Sequence, residues 1–119
     1  MRFMLTFKPN EDPEPGVSPC KQNLPEMAKL IGELTKSGVL LSTQGLKPSD
    51  TGARVRYSGG KLAAIDGPFA EAKELIAGVA LIEVKSKDEA IELATRFLQI
   101  ADGGESDVRR VYEASDING

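Results

Sequence analysis

Histidine and tryptophan are both absent from this 119-residue chain, and cysteine occurs once, at Cys20. Without imidazole there can be no Ser-His-Asp triad, no Cys-His pair and none of the common zinc sites. A single thiol forms no internal disulfide. No glycine-rich dinucleotide fingerprint, P-loop or CxxC motif occurs. A carboxylate site for a hard cation is the remaining metal chemistry, and no clustered acidic motif supports one. We therefore expect no metal and no cofactor. No stretch approaches the ~18 consecutive apolar residues of a membrane span. The apolar run at residues 1–7 is too short for a signal peptide, so a cytoplasmic setting is expected. With 15 basic and 18 acidic residues the net charge is -3, which gives no electrostatic footprint for nucleic acid.

What remains is an ordinary globular composition, 40% hydrophobic, at the length of one domain spanning residues 1–119. Phe3, Leu5 and Phe7 alternate with Arg2, Met4 and Thr6, which is strand periodicity. Proline and glycine among acids make residues 8–17 a loop. Ser18-Pro19 reads as a helix start. Leu24, Met27, Ala28, Ile31 and Leu34 form its apolar stripe, Pro25 kinks it or delays its start, and Ser37-Gly38 stops it. Strands are expected at 39–44 and 53–58, then a hairpin turn at Gly59-Gly60 with a return strand at 61–65. A short helix is expected at most over 71–75, and a long strand over 78–84. Ser86 with Glu89 three residues later is a capping box. It opens a helix whose stripe is Ile91, Ala94 and Leu98, joined by Ala90 and Phe97. A last strand over 107–113 and a loose tail complete the chain.

The order β-α-β-(hairpin)-β-α-β describes an α+β fold, a ferredoxin-like, split βαβ antiparallel sheet with two helices on one face. The other face is not polar. Val79, Ala80, Leu81 and Ile82 run without alternation, 39–41 has the same two-sided character, and Met4 lies opposite Phe3 and Leu5. Each large aliphatic left in water forgoes roughly 1.5–3 kcal/mol, so we expect a homodimer whose sheets cover each other, the alternative being that loops 8–17 and 45–52 fold over the open face.

Residues 66–74, reading Asp66-Gly67-Pro68-Phe69-Ala70-Glu71-Ala72-Lys73-Glu74, resemble the DGPF-type motif of the YCII-related family. Shorter stretches at 38–41, 45–49, 53–56, 58–61 and 111–114 match in the family's order, so the resemblance spans nearly the whole chain. It implies a ferredoxin-like fold that pairs into a dimeric α+β barrel. Some relatives carry a His-Asp pair proposed as catalytic, and a dehydrochlorinase of chlorinated aromatics belongs to the wider family. That pair has no counterpart in a chain without histidine. The wider superfamily also includes isomerases and monooxygenases of small cyclic molecules. Members of the DGPF branch are often encoded beside sigma factors of the extracytoplasmic-function type, which implies a regulatory setting. Ala72 departs from the family, which usually has Thr there.

Asp66 is the first candidate for catalysis: a carboxylate held in a cleft can act as acid or base, or it can cap the turn before Pro68. Arg54 and Arg56 share a strand face and can grip an anion, or form surface ion pairs; Arg109 carries the same two readings. Gly67, Pro68 and Phe69 shape the loop beside them, with Phe69 as a core anchor or a stacking ring. Glu71 and Lys73, with Glu74, add charge to the site or are local helix pairs. Thr6, Ser42 and Gln44 are polar positions on apolar strands, lining a pocket or pairing across strands. Cys20, near a helix start but without an imidazole partner, reads as incidental. Two functions follow from these residues. One is a small-molecule binding protein or metal-free lyase or isomerase, with its pocket between the sheet and the DGPF loop. The other is a non-catalytic regulatory or protein-interaction module.

Overall fold

The alternation at the N-terminus does form a central strand. The computed structural model describes residues 1–8, 24–47, 51–67 and 76–118. Strand β1 (Arg2–Lys8) pairs antiparallel with β5 (Gly78–Glu83) on one side and with β6 (Glu105–Arg110) on the other. Strand β2 (Leu40–Gly45) joins the outer edge of β5, so the sheet order is β2-β5-β1-β6. That is the ferredoxin-like, split βαβ order expected from the sequence. The expected hairpin, β3 (Ala53–Ser58) with β4 (Lys61–Asp66), stands outside it as a separate two-stranded sheet.

Helices α1 (Leu24–Lys36) and α2 (Lys87–Ala101) cover one face of the four-stranded sheet. The register sets that face: Phe3 lies opposite Ile82, Leu5 opposite Ala80 and Val108, and Leu40 opposite Ile82. These side chains pack with Leu30, Leu34, Ala90, Leu93, Ala94 and Phe97 into one core. Phe7 and Phe97 meet at 5.4 Å between ring centroids, tilted by 57°, a geometry aromatic pairs favour.

Pro25 occupies the second position of α1, in the first turn, where its missing N–H costs no helical bond. The helix closes in a Schellman motif: Val39 N–H donates to Leu34 O (3.0 Å) and Gly38 N–H to Thr35 O (3.2 Å), with Gly38 in the left-handed region. The Ser86 cap of α2 is present: Glu89 N–H donates to Ser86 Oγ at 3.2 Å, while the Glu89 carboxylate reaches back one residue beyond the cap and accepts from Lys85 N–H at 3.2 Å. Removing the first of these bonds with Ser86→Ala should cost about 1 kcal/mol. Urea unfolding should then show a lower midpoint at an unchanged slope.

Several expectations are corrected. In α2 the buried stripe runs through Leu93, and Ile91 is 44% exposed. In α1 Leu30 is buried, while Leu24 and Ala28 face solvent. Both errors are rotations of an amphipathic stripe by about one position, because helical spacing alone leaves that choice open. Strand β6 begins at Glu105 and ends at Arg110. The tail is a short helix, α3 (Ala114–Asn118), in which Glu113 N–H donates to Asp116 Oδ2 at 2.9 Å. The expected helix start at Ser18-Pro19 and the short helix over 71–75 lie outside the described residues.

The face opposite α1 and α2 carries Met4, Thr6, Val79 and Leu81, all half-buried, with Arg109 exposed opposite Met4. A bulge between Leu40 and Ser42 turns Ser42 to pair with Leu81 and Gln44 with Val79, so both polar side chains join this face. Among the described residues no helix is long and apolar enough to cross a membrane.

Candidate functional site

Gly59 and Gly60 have φ of 58° and 77°, the two positive angles that a two-residue type I′ hairpin turn requires. That turn sets the register of the whole ribbon. Tyr57 faces Leu62, Val55 faces Ala64 and Ala53 faces Asp66, so these six side chains share one face. Arg54 opposite Ile65, Arg56 opposite Ala63 and Ser58 opposite Lys61 occupy the other. The first face is apolar along its length and ends in one carboxylate. The second is cationic.

The ribbon's base is held by backbone bonds. Gly67 N–H donates to Gly52 O at 3.0 Å just beyond Asp66. Leu46 N–H donates to Ala77 O (2.8 Å) and Ala77 N–H to Phe7 O (2.7 Å), tying the segments on either side of the hairpin to the sheet. Strands β3 and β4 pack on each other and make no substantial contact with another described element. Val55, Tyr57 and Leu62 are accordingly 67%, 72% and 72% exposed.

Asp66 therefore ends β4 as expected, on the exposed apolar face. Among the described residues its carboxylate has no hydrogen-bond or ion-pair partner. Arg54 is half-buried and Arg56 exposed on the opposite face of the same ribbon. The register therefore sets Asp66 and these arginines on opposite faces of one ribbon. Side chains alternate along a strand, and an even-numbered arginine on β3 cannot share a face with Ala53 and its partner Asp66. Gly67 is half-buried at the ribbon's base. Pro68, Phe69, Glu71 and Lys73 lie outside the described residues, as do Glu74, Ala72 and Cys20. Thr6 Oγ1 accepts from Asp107 N–H at 3.3 Å, and Thr43 Oγ1 donates to Val79 O at 3.1 Å, so some strand hydroxyls serve the sheet itself.

Tyr57 and Leu62 were not singled out from the sequence. The signal was present: a two-residue turn at Gly59-Gly60 fixes which residues face each other, and counting outward from it gives both faces. One open groove lies elsewhere, at the end of α2, lined by Thr95, Leu98, Gln99, Asp102 and Gly103. It contains none of the candidate site residues.

The family description YCII-related domain matches residues 1–115, and the chain belongs to that family. An uncharacterised protein, R00369 of Rhizobium meliloti (strain 1021), is 41% identical over 69 residues, which are 58% of this chain and 56% of the relative. The matched region thus spans about half of that relative's length. Among solved structures, the 5-chloro-2-hydroxyhydroquinone dehydrochlorinase of Burkholderia phenoliruptrix AC1100, in complex with 2,5-dihydroxybenzoquinone, is 14% identical. That alignment covers 97% of each chain with a TM-score of 0.49.

Proposed function

We propose that the chain acts as a homodimer that binds a small organic molecule beside the turn at the end of β4, with Asp66 as the group that hydrogen-bonds to it and moves its proton. The observation that carries this reading is the hairpin face itself: an apolar wall of Val55, Ala64, Tyr57 and Leu62 that ends in a single exposed carboxylate. Such a wall suits a molecule with an apolar body and a hydroxyl or other acidic proton at one end. A carboxylate within hydrogen-bond reach of that proton is the minimum a lyase or isomerase needs, and the chain has no imidazole to do this work instead. No cofactor is part of the proposal.

The experiment is a thermal-shift screen of small hydroxylated and acidic organic molecules, followed by titration of any hit against Asp66→Asn and Asp66→Ala. Asp66 is exposed, so Asp66→Asn, which keeps a capping oxygen, should unfold close to the native chain, and Asp66→Ala, which removes it, should cost about 0.5–2 kcal/mol. A hydrogen bond to a charged group is worth about 1.5–3 kcal/mol, so affinity for the hit should fall about 10- to 100-fold in both. Unchanged affinity in Asp66→Asn would remove Asp66 from the site.

A second reading has its own support. A ribbon with three large exposed apolar side chains on one face is also what a protein-interaction module presents. A flat screen, together with a stable macromolecular complex that depends on Tyr57 and Leu62, would favour that reading.

A further inference from the structure

An isolated two-stranded hairpin is at best marginally stable in water, and this one turns an apolar face outward. Among the described residues no element packs on that face. The side of the sheet opposite α1 and α2, with half-buried Met4, Val79 and Leu81, is a second apolar surface on which no described element packs. Leu41 in β2 and Leu46 just beyond it are also exposed.

The charges on the two surfaces are complementary. The hairpin face carries one charge, the carboxylate of Asp66, without an ion-pair partner among the described residues. On the sheet face Asp107 is held by Lys8 at 3.0 Å and Glu83 by the N-terminal amine at 3.5 Å. Arg109, beside Met4, has no ion-pair partner among the described residues. Position agrees with charge. In the order β2-β5-β1-β6 the chain leads into the hairpin from one edge strand, and Arg109 sits on the other. Two sheets packed face to face about a two-fold axis along their strands lay the β2 edge of one copy over the β6 edge of its partner.

We infer that the hairpin is an arm exchanged between two copies of this chain, its Val55–Tyr57–Leu62 face packed on the other copy's sheet and Asp66 paired with Arg109 of the partner subunit. The opposite face, with Arg54, Arg56 and Lys61, is then turned away from the partner's sheet. The inference rests on the homodimer proposed above: the partner's sheet then forms the wall opposite the hairpin face, and the proposed small molecule would sit at the Asp66 end of that seam.

The test is charge reversal read by sedimentation equilibrium of the full chain. Asp66→Arg and Arg109→Asp should each raise the dimer dissociation constant about tenfold or more, and the double variant should return it to within about threefold of the native value. Tyr57→Ser with Leu62→Ser should weaken the dimer in the same assay. Restoration in the double variant also shows that neither single change acts by unfolding. If the single reversals weaken the dimer and the double variant does not recover it, the Asp66–Arg109 pairing is overturned. If hairpin changes leave the constant unaltered while a charge placed at Leu81 dissociates the dimer, the sheet-to-sheet dimer stands and the arm exchange is wrong. A monomer at all concentrations overturns both, and ligand binding by that monomer would still leave the role of Asp66 standing.

Discussion

Leu81→Arg is expected to convert the proposed dimer into a folded monomer. Leu81 lies at the centre of the sheet face away from α1 and α2, opposite Met4 on one side and Ser42 on the other. It is half-buried in the single chain, so an arginine there can extend into water without disturbing the core on the opposite face. In the dimer the same arginine would be an unpaired charge between two sheets, a defect of about 3–5 kcal/mol for one removed partner, and the two-fold axis supplies two of them. The dissociation constant should rise by more than about a hundredfold. Circular dichroism should remain native. An unaltered dimer would place the interface on another surface.

Leu5→Ala should be among the most destabilising single truncations. Leu5 is 0% exposed on the central strand, between Ala80 of β5 and Val108 of β6. Alanine at this position removes three carbons from a site that cannot collapse, since both neighbouring strands are fixed by the ladder. The cost for such a site is about 2–5 kcal/mol, against a total of about 5–15 kcal/mol for a domain. Denaturation at fixed protein concentration is the appropriate measurement, because the proposed association would contribute to apparent stability. A loss below about 1 kcal/mol would mean that Leu5 is not at the core's centre.

The elements with strong local signals were legible in the sequence. Strand β1 follows from simple alternation, the start of α2 from the Ser86–Glu89 box, and the end of α1 from Gly38. What local patterns left open was orientation. Ile91 and Leu93 are two positions apart on α2, and only the packing of α2 on the sheet decides which is buried. The bulge at β2 leaves no mark in residues 40–42 that distinguishes it from a regular strand. The separation of the hairpin from the main sheet is a matter of tertiary placement, and the residues of β3 and β4 read the same whether they extend a sheet or stand apart. At the site, the position of Asp66 at a strand end was legible from the turn residues that follow it. Its separation from Arg54 and Arg56 was legible too, through the register that Gly59-Gly60 imposes.

The central claim, a chain that completes its surface with a second copy of itself, is tested most directly by the solution mass of the native protein. Sedimentation equilibrium at micromolar concentration should give about twice the 12.7 kDa chain mass, with Leu81→Arg in the same experiment giving the single-chain mass. A native protein that sediments at 12.7 kDa throughout would contradict the account.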